Sequence, residues 1–264
     1  MPIRWRIVLT ATLLNLLMEL SVRGIQGVLT RPVLSGALLL AIGATYWSYF
    51  ALLEDAIGRY RLSDAQVATA GVFCCLLWQL LGPSIVFLPP LIFGVNLLGL
   101  LFVNLVWWAP IQMVLALYIA NRMNPRDTWQ PLLSRVARGG YAAAFVGVTL
   151  LLRAAVPRLP PPRPGQVLVM LLLLGATAWR FTASLRRVRP AAMPLPFQPD
   201  RFLDGLSLVM TVYLLCSAVL ASTPSLVYVS LVDRTALHIN LVVSLGITLT
   251  LAFHRWRSKR PIPV

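Results

Sequence analysis

Long apolar runs alternate with short polar segments along the whole chain. The clearest lies between Asp64 and Arg122, where more than fifty residues pass without a formal charge. A helix needs roughly 20 apolar residues to cross the ~30 Å hydrocarbon layer of a bilayer. Gly82-Pro83 and Leu88-Pro89-Pro90 interrupt this stretch, because proline lacks a backbone donor and disfavours helix in the residue before it. The pattern predicts a hairpin of two spans, from about Asp64 to Gly82 and from about Leu91 to Arg122.

Six more apolar runs predict further crossings, at about 7–22, 32–56, 139–156, 165–185, 206–223 and 235–256. Glu19 interrupts the first run and no small-x-small cleavage site follows it, which favours a retained helix over a signal peptide. The expected fold is all-α, a polytopic transmembrane bundle of about eight spans. No linker separates a second unit, so 1–264 is predicted to be a single transmembrane domain.

Two parts of this pattern are not simple spans. Trp129, Leu132, Leu133 and Val136 follow helical spacing, with arginines off that stripe, so Asp127 to Arg138 is predicted to be an interfacial amphipathic helix. The fourth span is too long for one perpendicular crossing. It is expected to tilt, to kink at Pro110, or to leave the bilayer beyond Trp107-Trp108, a pair that suits a headgroup belt.

Composition and charge support the membrane interpretation. The chain is 58% hydrophobic and 12% charged, whereas soluble domains carry about 25% charged residues. The net charge of +15 comes from basic residues that flank the apolar runs, so lipid headgroups are the expected partners and nucleic acid is not. Roughly three quarters of the 23 basic residues fall on the side that holds both termini, which predicts cytoplasmic termini and a multi-pass protein of the cytoplasmic (inner) membrane.

Metal and cofactor chemistry has little support in the sequence. The three cysteines, Cys74, Cys75 and Cys216, lie within predicted spans and form no CxxC or Cys/His ligand pattern. Buried structural thiols are therefore expected, with no metal site and no cofactor. His238 and Asn240, near the start of the eighth span, are interpreted as structural groups.

One acidic motif lies at the end of the second span. Glu54-Asp55-Ala56-Ile57-Gly58-Arg59 resembles the E-E-x-x-x-R motif of the intramembrane CAAX-type proteases, in which acid pairs activate water. Those enzymes carry two later histidine motifs, and His238 and His254 do not match them. The alternative interpretation is an Asp55–Arg59 ion pair, with Glu54 on another face. Glu54 would then meet an arginine of another helix or lie in headgroup water.

Five polar residues within the spans are candidates to line a substrate path, since intramembrane polar groups are costly unless they are paired. They are Glu19, Gln79, Asn96, Asn104 and Gln112. For Glu19 a structural ion pair with Arg23 or Arg153 is the alternative, and for the amides it is hydrogen bonding between helices.

Two functions follow from these patterns. The favoured one is a non-enzymatic membrane protein, either a permease-like component or a transmembrane packing subunit of a larger membrane complex, with partner membrane subunits. The other is an intramembrane enzyme acting on a lipid or isoprenoid, using Glu54, Asp55 and Arg59 at the cytoplasmic face. Whether the protein is an enzyme stays open at this point.

Overall fold

A computed structural model describes residues 1–23, 25, 29, 32–155, 161–186, 195–220 and 234–258. These residues contain no strand, so the all-α prediction is confirmed. The long helices are α1 Ile3–Arg23, α2 Pro32–Tyr60, α3 Asp64–Leu81, α4 Leu97–Met123, α5 Arg135–Ala154, α6 Pro164–Leu185, α7 Arg201–Leu220 and α8 Arg234–Ser258. A 3-10 turn, Ile85–Phe87, lies between α3 and α4.

Six of the described helices are long and apolar enough to cross a membrane. The stretches concerned are Gly36–Tyr60, Asp64–Leu81, Leu97–Met123, Arg135–Ala154, Pro164–Leu185 and Arg201–Val219. A shorter apolar helical stretch, Ile239–Arg255, lies in α8. Several apolar helices of this length indicate a multi-pass membrane protein.

One end of the bundle, called here the Glu54 end, gathers contacts between distant polar residues. They are Arg4–Glu54, Leu133–Asp55, Phe197–Asp64, Gln66–Ser184, Arg122–Asp204 and His254–Asp200. These contacts bring together the beginnings of α1, α3, α5 and α7 and the ends of α2, α4, α6 and α8. Consecutive helices therefore run in opposite directions.

The opposite end, called here the Ser84 end, has its own cross-links. Ser217 Oγ and Asn240 Nδ2 both donate to the carbonyl of Ser21, at 2.7 and 3.3 Å. Gln166 Nε2 donates to the carbonyl of Gly94 at 2.6 Å. Gly94 has a φ of +84°, which only glycine adopts at little cost. It lies in the turn that leads from Ser84 towards α4.

Helix α4 is mostly a π-helix, over Phe102–Leu115, between short α-helical ends. Pro110 within it has no N–H, so the carbonyl five residues earlier, that of Leu105, loses its π-helical donor. Thr248 Oγ1 from α8 donates to the neighbouring carbonyl of Val106 at 2.9 Å. The carbonyl of Gln112 accepts Asn15 Nδ2 from α1, at 2.8 Å. Side chains of two other helices thus bind the backbone of this irregular helix.

The predicted amphipathic helix at Asp127–Arg138 is wrong. Helix begins only at Arg135, where Ser134 Oγ caps it by accepting the amide of Ala137 at 3.2 Å. Pro131 disfavours helix before it, and the backbone of Leu133 is bound to α2 instead. The residues of the expected apolar stripe also do not share one environment, because Leu133 is 6% exposed and Val136 is 87% exposed.

Trp108 does not lie in an exposed belt, contrary to expectation. It is 6% exposed and packs in the core against Tyr46, Tyr49 and Trp78, with ring centroids 6.1, 6.1 and 5.9 Å away. The fourth span continues past it as helix to Met123. This aromatic cluster joins α2, α3 and α4 and belongs to the main hydrophobic core of the described residues.

Candidate functional site

A cavity of about 1130 Å³ opens at the Ser84 end of the bundle. Its walls come from α1, α3, α4, α8 and the segment that joins α3 to α4. The lining residues include Glu19, Gln79, Ser84, Asn96, Val103 and the tryptophans 78, 107 and 108. Three of the five predicted path residues, Glu19, Gln79 and Asn96, thus lie around one space although they come from three separate parts of the chain.

Glu19 presents its carboxylate to the cavity from α1. Tyr46 Oη donates to Glu19 Oε1 at 2.6 Å, and Gln112 Nε2 donates to Tyr46 Oη at 3.2 Å. Gln112 does not line the cavity. Its hydrogen bond orients the phenol of Tyr46, and that phenol in turn orients the carboxylate of Glu19. Arg23 and Arg153 were the two predicted partners of Glu19. The side chain of Arg23 lies outside the described residues. Arg153 Nη1 donates to the carbonyl of Gly82 at 3.0 Å.

Hydrogen bonds fix the polar side chains on the cavity wall formed by α3, the start of α4 and the segment between them. Ser84 Oγ donates to Gln79 Oε1 in a short hydrogen bond and accepts the amide of Val86 at 3.1 Å. Asn96 Oδ1 accepts the amide of Gly99 at 2.9 Å and so caps the start of α4. Gln79 and Asn96 therefore have structural roles as well as a place on the cavity surface.

Asn104 does not join this group. Its side chain is 3% exposed, and Nδ2 donates at 2.8 Å to the carbonyl of Leu100 in its own helix. Asn104, Trp108 and Gln112 are spaced by four along this helix, and all three are buried. The side chain of His238 lies outside the described residues, and Asn240 lines the cavity.

The tryptophans and prolines of the cavity were not among the predicted path residues. Trp78, Trp107 and Trp108 line it together with prolines 83, 89 and 90. The sequence did contain a signal, because the prolines mark the break in the hairpin and the tryptophans lie within a few turns of that break. What it could not show is that α1 and α8 close the space from the other side.

The second group of predicted residues lies at the Glu54 end. Glu54 is fully buried, and two arginines from distant segments bind its carboxylate. Arg4 Nε lies 2.8 Å from Oε1, and Arg126 Nη2 lies 2.5 Å from Oε2. Arg4 Nη2 also donates to the backbone carbonyl of Glu54 at 2.5 Å. The expectation that Glu54 meets another helix's arginine is met by Arg4 of α1.

Asp55 forms the predicted pair with Arg59. Both Arg59 Nε and Nη2 contact the carboxylate at 3.1 Å. Asp55 Oδ1 also accepts the amide of Leu133 at 2.8 Å, and Arg138 Nε lies 3.8 Å from Oδ2. Asp55 is 2% exposed, so its lone pairs are occupied by the arginines and by the loop that precedes α5.

Four arginines therefore surround two acids. Burial lowers the pKa of the Arg126 guanidinium, while the charge of Glu54 opposes that effect. Carboxylates whose oxygens are already bound by arginines suit a fixed ion-pair network more than proton transfer to a water. Neither acid lines the cavity. Within the described segments, no group of His, Cys, Asp and Glu could hold a metal ion.

Comparison with protein-family models, curated proteins and solved structures finds no match to this chain.

Proposed function

We propose that this chain is a permease-like component of the cytoplasmic (inner) membrane that binds an amphiphilic, lipid-sized ligand in the cavity at the Ser84 end. In this proposal all eight helices cross the membrane. The Glu54 end, which holds more of the basic residues, faces the cytoplasm together with both termini. The cavity then opens towards the opposite side.

The observation that carries the proposal is the cavity itself. Ligand pockets commonly measure about 300–1,000 Å³ and combine apolar walls with a few placed polar groups. This one is as large, at about 1130 Å³, and its apolar lining is interrupted by Glu19, Gln79, Ser84 and Asn96. Such a lining suits a ligand with an apolar chain and a small polar head.

The surroundings of Glu54 and Asp55 support a non-enzymatic role over hydrolysis at that motif. An acid pair that activates water must open onto a space that admits water and substrate. Both carboxylates are instead buried and occupied by arginines. The network is better suited to holding α1, α2 and the loop after α4 together.

The proposal also includes contacts between the outer surface of the bundle and either lipid or a partner membrane subunit. Large apolar residues on the outer faces of α6 and α7 are exposed, including Leu172, Trp179, Leu208 and Val209, at 63–74%. Lipid tails can cover these faces, and so can a partner membrane subunit. Purification in mild detergent, with identification of co-purified proteins and lipids, distinguishes the two.

Ligand binding is tested with a brominated long-chain alcohol, whose bromine quenches nearby tryptophan fluorescence. Saturable quenching is expected for the wild-type protein. Val103→Phe narrows the cavity and should weaken binding at least about tenfold, roughly 1.4 kcal/mol. Val209→Phe makes the same change on an exposed face of α7 and should leave binding unchanged. Equal, non-saturable quenching in all three proteins would refute the proposal.

A further inference from the structure

Two arginines at the Glu54 end approach the same carboxylate oxygen. Arg59 Nε lies 3.1 Å from Asp55 Oδ2, and Arg138 Nε lies 3.8 Å from the same atom. Asp55 is buried, whereas the side chains of Arg59 and Arg138 are 28% and 34% exposed. One carboxylate thus faces two guanidiniums that reach the protein surface, and one positive charge of this cluster has no counter-charge within it.

The rest of the described chain does not supply that counter-charge. Among the residues that the structure describes, no acid other than Asp55 forms an ion pair with Arg59 or Arg138. Asp200 and Asp204, the acids at the start of α7, bind cations of their own. Arg59 Nη1 and both Nη atoms of Arg138 have no acceptor among the described residues. These donors are therefore available to an anion from outside the chain.

The adjoining surface of α5 is suited to lipid. This helix begins at Arg135 and has 20 residues, about the length that crosses the hydrocarbon layer, so its first turn lies at the depth of the headgroups. Val136 is 87% exposed between the two arginines of that turn. Beyond them α5 exposes small residues, at positions 139, 140 and 142–144. An apolar strip thus leads from the arginines into the hydrocarbon region.

We propose that Arg59, Arg138 and the first turn of α5 bind the phosphodiester headgroup of an anionic membrane lipid, whose acyl chains lie along α5. Arginine suits a phosphate because its planar fork of N–H groups can form two parallel hydrogen bonds. The beginning of α5 adds the partial positive charge of a helix N-terminus. In the proposed orientation this end faces the cytoplasmic leaflet, whose surface is negatively charged. The site is separate from the cavity at the Ser84 end and independent of what that cavity binds.

The test titrates the full-length protein in neutral maltoside micelles with three probes. Dioleoyl phosphatidylglycerol is the anionic lipid, dioleoyl phosphatidylcholine has the same chains with a zwitterionic headgroup, and glycerol 3-phosphate has the phosphate without the chains. Native mass spectrometry counts the bound molecules and gives their affinities.

Three variants each lose one arginine charge. Arg138→Gln removes a guanidinium whose described ion-pair contact is the 3.8 Å approach to Asp55. Arg135→Gln removes the exposed arginine one turn earlier on α5. Arg180→Gln is the matched control, because Arg180 is exposed on α6, five residues before that helix ends at the Glu54 end.

One molecule of phosphatidylglycerol is expected to bind the wild-type and Arg180→Gln proteins saturably, at least about tenfold more tightly than phosphatidylcholine. Arg138→Gln should weaken this binding about fivefold or more and leave phosphatidylcholine binding unchanged. Arg135→Gln should also weaken it severalfold, and it keeps the test decisive if Arg138→Gln does not fold. Equal affinities for the two lipids, or equal weakening by Arg180→Gln and Arg138→Gln, would overturn the site. Glycerol 3-phosphate binding as tightly as phosphatidylglycerol would overturn the assignment to a lipid.

Discussion

Arg126 Nη2 donates to Glu54 Oε2 at 2.5 Å, with both side chains fully buried. All of α3 and α4 lies between the two residues in the sequence, so this pair fixes the loop after α4 against the end of α2. Arg4 contacts the other carboxylate oxygen. Because one acid serves two arginines, removing it leaves two cations without their counter-ion.

The first prediction concerns Glu54→Gln. Breaking a buried ion pair from one side costs about 3–5 kcal/mol, since the remaining charge stays desolvated. We expect a marked fall in the thermal or denaturant midpoint in detergent, and partial recovery when Arg126→Gln is added. Asp127→Asn, the same loss of charge at the exposed neighbouring residue, should change little. A midpoint for Glu54→Gln equal to that of this control would show that the network is not structural.

Gly58 supplies the second prediction. A Cβ at Gly58 would lie 2.1 Å from the carbonyl oxygen of Gln130 and 2.6 Å from Arg4 Nη2. Since a backbone atom is involved, Gly58→Ala should push the loop after α4 away from α2 and cost roughly 1–3 kcal/mol or more. The control is Gly147→Ala in α5, where a Cβ would meet nothing within 4 Å. Unfolding midpoints that are the same for both variants would contradict the close approach.

Asp200 gives a pH dependence whose sign follows from its contacts. Burial would raise the pKa of this carboxyl, but hydrogen bonds from His254 and from the amides of Leu203 and Phe202 outweigh it and lower the pKa. A lowered pKa stabilises the fold above the unfolded-state value of about 3.9, and the stabilisation is lost as pH falls through the folded-state pKa. Asp200→Asn should therefore lose less stability than wild type between about pH 5 and pH 2. Identical acid unfolding curves would exclude this contribution.

Topology is tested by cysteine labelling with a membrane-impermeant thiol reagent in a background without Cys74, Cys75 and Cys216. Phe93 is 86% exposed at the Ser84 end, and Asp127 is exposed at the Glu54 end. Phe93→Cys should react in intact cells, whereas Asp127→Cys should react only after permeabilisation. The reverse result would invert the proposed orientation.

The sequence predicted the elements well where local signals agree. Proline breaks predicted the hairpin of α3 and α4. A serine that can cap a helix, Ser63, stands just before Asp64, and it does cap α3 by accepting the amide of Gln66. The Asp55–Arg59 pair also followed from spacing alone. The prediction for Asp127–Arg138 is wrong because apolar spacing alone does not make a helix there. Pro131 and Ser134 both signal that helix starts later, and it begins at Arg135.

The candidate sites were only partly predictable, because they depend on contacts between distant helices. Glu19, Gln79 and Asn96 were identified singly, as polar groups in apolar runs, but nothing local shows that they share a cavity. The sequence led us to expect that an arginine of another helix binds Glu54, but it did not show which arginine. In the sequence Arg126 is one of many basic residues that flank the apolar runs. Only the fold shows that its guanidinium is buried against Glu54.

The last prediction concerns the π-helix. Thr248 Oγ1 of α8 donates to the carbonyl of Val106 in this helix at 2.9 Å. Thr248→Val keeps the shape, removes the donor and should cost about 0.5–1.5 kcal/mol, the net contribution of a typical hydrogen bond. Thr250→Val, two residues on in α8, should be nearly neutral because Thr250 Oγ1 only supplements the carbonyl of Gly246 in its own helix.

The comparison of Thr248→Val with Thr250→Val separates the hydrogen bond between helices from the general effect of replacing a threonine by valine in α8. Both unfolding midpoints are measured in the same detergent. If the bond to the Val106 carbonyl holds α8 against α4, only Thr248→Val should lower the midpoint. Equal midpoints for the two variants would show that this bond adds nothing to stability, because each variant loses one hydroxyl and gains one methyl group.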